Sequence, residues 1–145
     1  MKQLAILGAG ESGLGAALLA KREGYGVWVS DMGAISSARK EALIEAGIGF
    51  EEGGHDEAKI LSSDLIIKSP GIPTKAPLVK SAMDQGIPVI DELEFAYRFS
   101  AGKVIAITGT NAVAPPGGCI ASNRYITKMT TATVHAVISA KLLSR

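Results

Sequence analysis

The stretch Leu4-Ala-Ile-Leu7-Gly8-Ala-Gly10-Glu-Ser12-Gly13 decides the fold, because it joins a short apolar strand to a glycine-rich turn and a helix. In this pattern Gly8 permits a tight turn, Gly10 lets a phosphate approach the backbone, and Gly13 lets the helix pack closely. The N-terminus of the helix offers N–H groups and partial positive charge to an anion. Asp31 ends the next apolar run, where it can accept a hydrogen bond from a ribose or a base. The pattern predicts a nucleotide-binding turn, and a packing turn without a ligand is the alternative.

Strands and helices alternate outward from this turn as far as residue 100. The predicted strands span residues 4–7, 27–30, 48–50, 64–68 and 89–90. The first predicted helix follows the glycine turn and runs to about Glu23, and the second is capped by Ser36 or Ser37 and stops at Gly47. The third is capped by Thr74 and ends at Gly86. The fourth spans residues 92–99 behind a cap at Asp91, with Glu94 completing a capping-box pattern. Single helices between strands imply right-handed crossovers. We therefore expect an α/β fold with a Rossmann-like, doubly wound parallel sheet of five strands.

A second loop of interest is Ser69-Pro70-Gly71-Ile72-Pro73, which follows the fourth predicted strand. In a parallel sheet this strand ends at the same edge as the first two, and ligands bind at that edge. The prolines stiffen the loop, while the glycine allows close approach to a bound group. A stiff connection without a ligand is the simpler explanation of this loop on its own.

The stretch Ile105-Ala-Ile-Thr-Gly109-Thr110-Asn111 begins a nucleotide-binding loop that the chain does not complete. Such a loop continues into Gly-Lys-Thr or Gly-Lys-Ser, whose lysine contacts the outer phosphates and whose hydroxyl holds Mg²⁺. Here the chain reads Ala112-Val-Ala-Pro-Pro-Gly-Gly118, without the lysine and with two prolines that lack N–H donors. The sequence predicts that this remnant does not bind ATP.

Composition separates the last part of the chain from the rest. Residues 1–111 carry all 14 acids and 11 of the 15 bases, whereas residues 112–145 carry four bases and no acid. The segment is therefore expected to be a divergent or foreign tail, and a frame-shifted end, a vector-derived extension and natural divergence all fit it. A helix over about residues 120–143 is its one predicted element.

Composition also excludes several classes of protein and partner. The scattered bases of the tail have no aromatic platform, so we expect no nucleic-acid partner. No apolar run is long enough to span a membrane, and Glu11 interrupts the first one too early for a signal peptide. Cys119 is the only cysteine, which excludes an internal disulfide and fits a reducing compartment. These observations predict a cytoplasmic protein without a membrane partner.

Six motifs in order along residues 1–111 resemble the Mur ligase family. They are Gly8-Ala-Gly-Glu-Ser-Gly-Leu-Gly15, Val29-Ser-Asp31, Lys68-Ser-Pro-Gly-Ile-Pro73, Gly86-Ile-Pro-Val, Glu92-Leu-Glu-Phe95 and Ile105-Ala-Ile-Thr-Gly-Thr-Asn111. The resemblance implies a cytoplasmic, three-domain enzyme of peptidoglycan synthesis that forms an amide bond through an acyl phosphate. It implies ATP and Mg²⁺ as cofactors of the full-length enzyme and UDP-N-acetylmuramoyl-L-alanine as the partner of this domain.

The resemblance also assigns site residues to the expected UDP site. It places Gly8, Gly10, Glu11, Ser12 and Gly13 by the diphosphate, Asp31 and Met32 by the uracil, and Gly71 beside the substrate. No position inherits a catalytic role or a metal, because the ATP loop is a remnant (Gly109, Thr110, Asn111) and the family's later ligands have no counterpart. The expected organisation is a UDP-binding domain over residues 1–100, the first strand of a truncated ATP-binding domain over 101–111, and the tail.

A NAD-binding or regulatory Rossmann module is the alternative function, since its fingerprint needs the same three glycines and an acid. Three other candidates have simpler explanations. His55 is interpreted as a surface-loop residue, because no second ligand lies at metal spacing. Cys119 is interpreted as a free thiol. Glu94 is explained by helix capping, so Glu92 and Glu94 are not expected to form a general acid–base pair.

Overall fold

A computed structural model of the chain describes residues 1–99 and the backbone of residues 106–107 and 126–127. Five parallel strands form one sheet in the order β3-β2-β1-β4-β5. These strands are β1 (Gln3–Leu7), β2 (Gly26–Asp31), β3 (Gly49–Glu52), β4 (Leu65–Lys68) and β5 (Val89–Asp91). The α/β fold and the five-stranded Rossmann-like sheet predicted from the sequence are confirmed.

Five helices connect or follow these strands. They are α1 (Glu11–Arg22), α2 (Ser37–Glu45), α3 (Glu57–Leu61), α4 (Pro77–Asp84) and α5 (Glu92–Arg98). Helix α3 has only five residues and was not predicted. The predicted cap at Thr74 is wrong, because α4 begins with Pro77 behind Ala76. Proline is favoured at the first helical position, where its missing N–H costs no hydrogen bond.

The helices cover both faces of the sheet, and the alternation of side chains along each strand supplies a core to each face. Leu4 and Ile6 of β1 pack into the larger core, to which α1, α2 and α5 contribute. Ala5 and Leu7 point the other way, into the core formed with α3 and α4. β1 lies between β2 and β4, so the chain reverses its direction of winding at β1 and β4. In such sheets the crevice outside the carboxyl ends of these two strands is where ligands bind.

Two short strands beyond residue 99 are described as well. β6 (Ala106–Ile107) and β7 (Ile126–Thr127) pair in parallel. The helix predicted over about residues 120–143 is therefore wrong at Ile126 and Thr127, which are β-branched and favour extended backbone. The rest of that predicted helix, and Gly109, Thr110, Asn111 and Cys119, lie outside the described residues. Among the residues that the structure describes, no helix is long and apolar enough to cross a membrane.

Candidate functional site

The glycine turn between β1 and α1 forms the first side of the candidate site. Gly8 has a φ of +98° and donates its N–H to the carbonyl of Ser30 over 2.8 Å. A Cβ at Gly13 would stand 2.0 Å from the carbonyl oxygen of Gly8, so only glycine lets the helix approach the turn this closely. A Cβ at Gly10 would meet no atom within 4 Å. Gly8 and Gly13 thus have structural reasons to be glycine, while Gly10 faces open space.

Asp31 holds the glycine turn in place through hydrogen bonds to the backbone. One carboxylate oxygen accepts from the N–H of Ala9 at 2.6 Å, and the other accepts from the N–H of Gly33 at 2.7 Å. A carboxylate that accepts from backbone N–H groups is a strong, charge-assisted partner. The acid at the end of β2 therefore fixes the loop after β1 relative to the loop after β2.

The loop after β4 forms the opposite side of the site. The N–H of Ser69 donates to the carbonyl of Leu7 at 3.0 Å, and the N–H of Ile72 donates to the carbonyl of Ser69 at 2.9 Å. Lys68 Nζ donates to the carbonyl of Ile72 at 3.1 Å. These bonds hold the Ser69-to-Pro73 loop against the end of β1, beside the glycine turn.

Behind this loop lies a buried acid. Glu92 is 1% exposed, and its carboxylate accepts a hydrogen bond of 2.6 Å from the Ser69 hydroxyl. Burial raises the pKa of the Glu92 carboxyl above its ordinary value, while the Ser69 hydroxyl and the charge of Lys68 act in the opposite direction. A Cβ at Gly8 would stand 2.6 Å from Ser69 Oγ, so the acid, the serine and the glycine turn are stacked in contact.

The turn between β3 and α3 forms the third side. The imidazole of His55 contacts Ser30, with 2.5 Å between Nδ1 and the hydroxyl oxygen. The N–H of Asp56 donates to Glu51 at 2.9 Å, and the indole N–H of Trp28 reaches the same oxygen at 3.3 Å. This network attaches the turn to the end of β2.

The three sides enclose a cavity of about 580 Å³ at the carboxyl ends of the strands. A cavity of this size suits a small molecule or a nucleotide. Backbone and polar groups contribute part of its wall, and an apolar part is contributed by the loop after β4 and by α4. The lining residues are Leu7, Gly8, Gly10, Asp31, Met32, His55, Glu57, Ser69, Gly71, Ile72, Pro73, Ala76, Pro77, Leu78 and Val79.

Five of the eight predicted site residues line this cavity, namely Gly8, Gly10, Asp31, Met32 and Gly71. Glu11, Ser12 and Gly13 do not line it. Glu11 is exposed at the start of α1, whereas Ser12 and Gly13 are buried in its first turn. The first N–H groups of a helix have no partner within the helix, so these residues can act through their backbone.

The structure also adds residues that the sequence did not indicate. His55 lies in the loop between β3 and α3, as interpreted from the sequence, but it is half-buried there and lines the cavity. Its contact with Ser30 joins two loops 25 residues apart, and no local pattern signals such a contact. Glu92 and Glu94 are separated as expected, because Glu92 is buried and Glu94 pairs with Arg98 on the surface. Within residues 1–99, no three His, Cys, Asp or Glu side chains are grouped to hold a metal ion.

The reversal of the sheet at β1 and β4, the glycine turn and the cavity above it define a Rossmann-like α/β domain. The sequence model of the family described as Mur ligase MurD-like, N-terminal domain, matches residues 2–91. The chain belongs to this family.

Curated relatives and solved structures extend this result. The chain is 53% identical over 111 residues to a UDP-N-acetylmuramoylalanine--D-glutamate ligase of Bacteroides fragilis, with 77% of this chain and 25% of the relative covered. It is 54% identical over 112 residues to the ligase of that name from Cytophaga hutchinsonii, with 76% and 25% covered. A murein peptide ligase from Psychrobacter arcticus has a similar structure, with a TM-score of 0.64, 26% identity, and 77% and 24% covered. The chain thus spans about a quarter of the length of these proteins.

Proposed function

We propose that residues 1–100 form the domain that binds the uridine diphosphate part of UDP-N-acetylmuramoyl-L-alanine in a UDP-N-acetylmuramoyl-L-alanine–D-glutamate ligase. The observation that carries the proposal is the cavity at the reversal point of the sheet, where the glycine turn meets the loops after β2 and β4. Relatives with this name and about half of their aligned residues identical support the choice of ligand.

In this proposal the diphosphate is held by backbone N–H groups at the start of α1. Gly8, Gly10, Glu11, Ser12 and Gly13 form the turn and the first helical positions, and anions are stabilised there by N–H donors and the helix dipole. Asp31 and Met32 line the part of the cavity assigned to the uracil, and Gly71 lies on the side of the rest of the substrate.

Residues 101–111 are proposed as the first strand of an ATP-binding unit, and residues 112–145 as a divergent tail. In the full-length ligase ATP and Mg²⁺ would serve the amide-forming step of peptidoglycan synthesis, and thereby cell shape and cell division. We propose a cytoplasmic location, as for an enzyme that uses ATP and a UDP-linked sugar.

Replacement of Gly10 by valine tests the proposed phosphate site. A Cβ at Gly10 would meet no atom within 4 Å, so the fold should be retained while the space for the phosphate is filled. We expect a Gly10→Val variant with an unchanged circular dichroism spectrum and no measurable UDP binding by calorimetric titration.

The matched control is Gly13→Val, whose Cβ would collide with the carbonyl oxygen of Gly8. This variant should lose about 2 kcal/mol or more of stability in urea denaturation, because backbone must move to admit the side chain. A folded Gly10→Val variant that binds UDP as tightly as the unaltered chain would show that the turn is not the phosphate site.

A further inference from the structure

His55 lines the cavity and is held in place by a contact with a buried residue of β2. Ser30 lies on β2 directly before Asp31, and it is completely buried. The Ser30 hydroxyl oxygen is 2.5 Å from Nδ1 of His55, and the same histidine lines the cavity together with Asp31 and Met32. One ring nitrogen is thus engaged by a buried, fixed partner.

The direction of the proton in this contact follows from the other neighbours of Ser30. Its hydroxyl lies 3.4 Å from the carbonyl oxygen of Gly54, and as a donor it lowers the pKa of the nearby Glu51 carboxyl. Both groups only accept, and a hydroxyl has one proton to donate. If that proton goes to one of them, Nδ1 of His55 carries its own proton and donates it to Ser30. In the neutral imidazole Nε2 is then an acceptor.

The charge on Glu51 supports this arrangement. Burial acts to raise the pKa of Glu51, but hydrogen bonds from Ser30, the Asp56 N–H and the Trp28 indole outweigh it. The net pKa of Glu51 is lowered, so the carboxylate stays charged and remains an acceptor for the Ser30 hydroxyl. The order Glu51, Ser30, His55 therefore fixes the orientation of the ring from the protein side.

Asp31, at the same end of the cavity, already accepts two hydrogen bonds and keeps only part of its acceptor capacity for a ligand. Each oxygen of Asp31 accepts a short hydrogen bond from a backbone N–H, one from Ala9 and one from Gly33. A nucleoside presents N–H and O–H donors that need acceptors when they leave water. Nε2 of His55 is an acceptor that the network of Ser30 and Glu51 leaves for a ligand.

We infer that His55 is a nucleoside-recognition residue of this site, with Nε2 accepting a hydrogen bond from either the uracil imide N–H or the ribose 2′-hydroxyl of the bound uridine nucleotide. The inference rests on the proposed function, since it names a residue for the same ligand. Ser30 and Glu51 are positioning residues for the ring.

Two substitutions of His55 separate ligand contact from a structural role. Asparagine places its amide near the position of Nδ1 and can keep the contact with Ser30, but it does not reach the position of Nε2. Glutamine places its amide near the position of Nε2. Calorimetric titration of the full chain with UDP should show affinity about fivefold lower for His55→Asn and within about twofold of the unaltered chain for His55→Gln. His135→Asn, which changes the other histidine, is the matched control.

Three nucleotides identify the donor on the ligand. CDP lacks the imide N–H, and 2′-deoxy-UDP lacks one ribose hydroxyl. The unaltered chain should bind UDP more tightly than one of these two, and the His55→Asn variant should lose that preference. Loss of preference against CDP assigns the contact to the uracil, and loss against 2′-deoxy-UDP assigns it to the ribose.

Several outcomes would overturn the inference. Unchanged UDP affinity in His55→Asn, an equal loss for all three nucleotides, or a His55→Gln variant that binds as weakly as His55→Asn would each remove the contact at Nε2. These results leave UDP binding by the unaltered chain intact and so leave the proposed function standing. Absence of UDP binding by the unaltered chain would overturn both.

Discussion

At the scale of single residues, Glu92 is a carboxyl group that folding has removed from water. It is 1% exposed, and the Ser69 hydroxyl is its hydrogen-bond donor. Burial raises the pKa of Glu92, so the folded protein holds the proton at pH values where the unfolded chain has released it. The free energy of unfolding must then fall as pH rises from the ordinary glutamate pKa through the raised pKa of Glu92.

Replacement of Glu92 by glutamine should remove this part of the pH dependence. Glutamine keeps an oxygen that can accept from Ser69 but does not titrate. Urea denaturation should be followed between about pH 4 and pH 8, a range that covers carboxyl pKa values raised by a few units. In this range the free energy of unfolding should decline less steeply with pH for Glu92→Gln than for the unaltered chain. The measured quantity is the difference in slope, since Glu51 and Glu52, whose pKa values are lowered, act in the opposite sense in both proteins. Parallel profiles for the two proteins would contradict a raised pKa at Glu92.

The roles of single residues could be predicted from the sequence only where the constraint was local. The tight turn at Gly8 and the close helix approach at Gly13 follow from the spacing of the glycines. The positions of His55 and Glu92 could not be predicted, because each depends on a hydrogen bond to a distant serine. Ser30 lies 25 residues before His55, and Ser69 lies 23 residues before Glu92. The order of strands and helices indicates which loops share an edge of the sheet, but it does not indicate which side chains of those loops come into contact.

At the scale of elements, α5 begins at a cap that the sequence specifies. The carboxylate of Asp91 accepts from the N–H of Glu94 at 2.7 Å, which satisfies one of the helix donors that have no internal partner. In a complete capping box the side chain of Glu94 would also bond back to the N–H of the cap residue. Here the Glu94 carboxylate pairs with Arg98 at 2.6 Å instead. In α2, by contrast, Ser36 is the cap residue but makes no hydrogen bond through its side chain.

These two caps predict different costs of substitution. Asp91→Ala should lower the free energy of unfolding by about 1 kcal/mol, since a cap donor loses its partner. Ser36→Ala, the matched control, should change it by less than about 0.5 kcal/mol. Equal losses for the two variants in urea denaturation would show that the Asp91 bond does not stabilise α5.

Elements whose apolar residues recur with a clear period, or which end at a glycine, could be predicted from the sequence, and short elements could not. α1 ends next to Gly24, with a φ of +84°, and α4 next to Gly86, with a φ of +75°, as the glycine signals indicate. α3 has five residues, too few to show a helical period, and Ile60 is its one fully buried residue. At Ile126 and Thr127, strand pairing prevailed over a weak helical pattern.

At the scale of the whole molecule, the order of the strands determines where the site lies. β1 and β4 are neighbours although five elements and 57 residues separate Leu7 at the end of β1 from Leu65 at the start of β4, so the glycine turn and the loop after β4 come together only in the folded sheet. The sequence predicted the parallel sheet and the edge at which the cavity lies. The shape of the cavity depends on residues from four loops, two helices and the ends of β1 and β2, and it could not be predicted from spacing.

The chain itself is expected to be inactive as a ligase. Phosphoryl transfer depends on positioning and on charge stabilisation by a loop lysine and metal ligands. Residues 112–118 contain no lysine, and residues 112–145 contain no acid to hold Mg²⁺. With ATP, Mg²⁺, UDP-N-acetylmuramoyl-L-alanine and D-glutamate, the chain should release no ADP and form no amide. Introduction of Gly-Lys-Thr-Thr at positions 112–115 should not restore turnover, and substrate-dependent ADP release from the purified chain would refute this expectation.

Binding of a uridine nucleotide is the central claim, and one calorimetric titration of the full chain tests it directly with three ligands. UDP and UDP-N-acetylmuramoyl-L-alanine should bind, with weak affinity because the chain covers about a quarter of its relatives' length and offers little surface to the rest of the substrate. NAD, the ligand of the alternative Rossmann function, should not bind. Binding of NAD without binding of either uridine nucleotide would contradict the account.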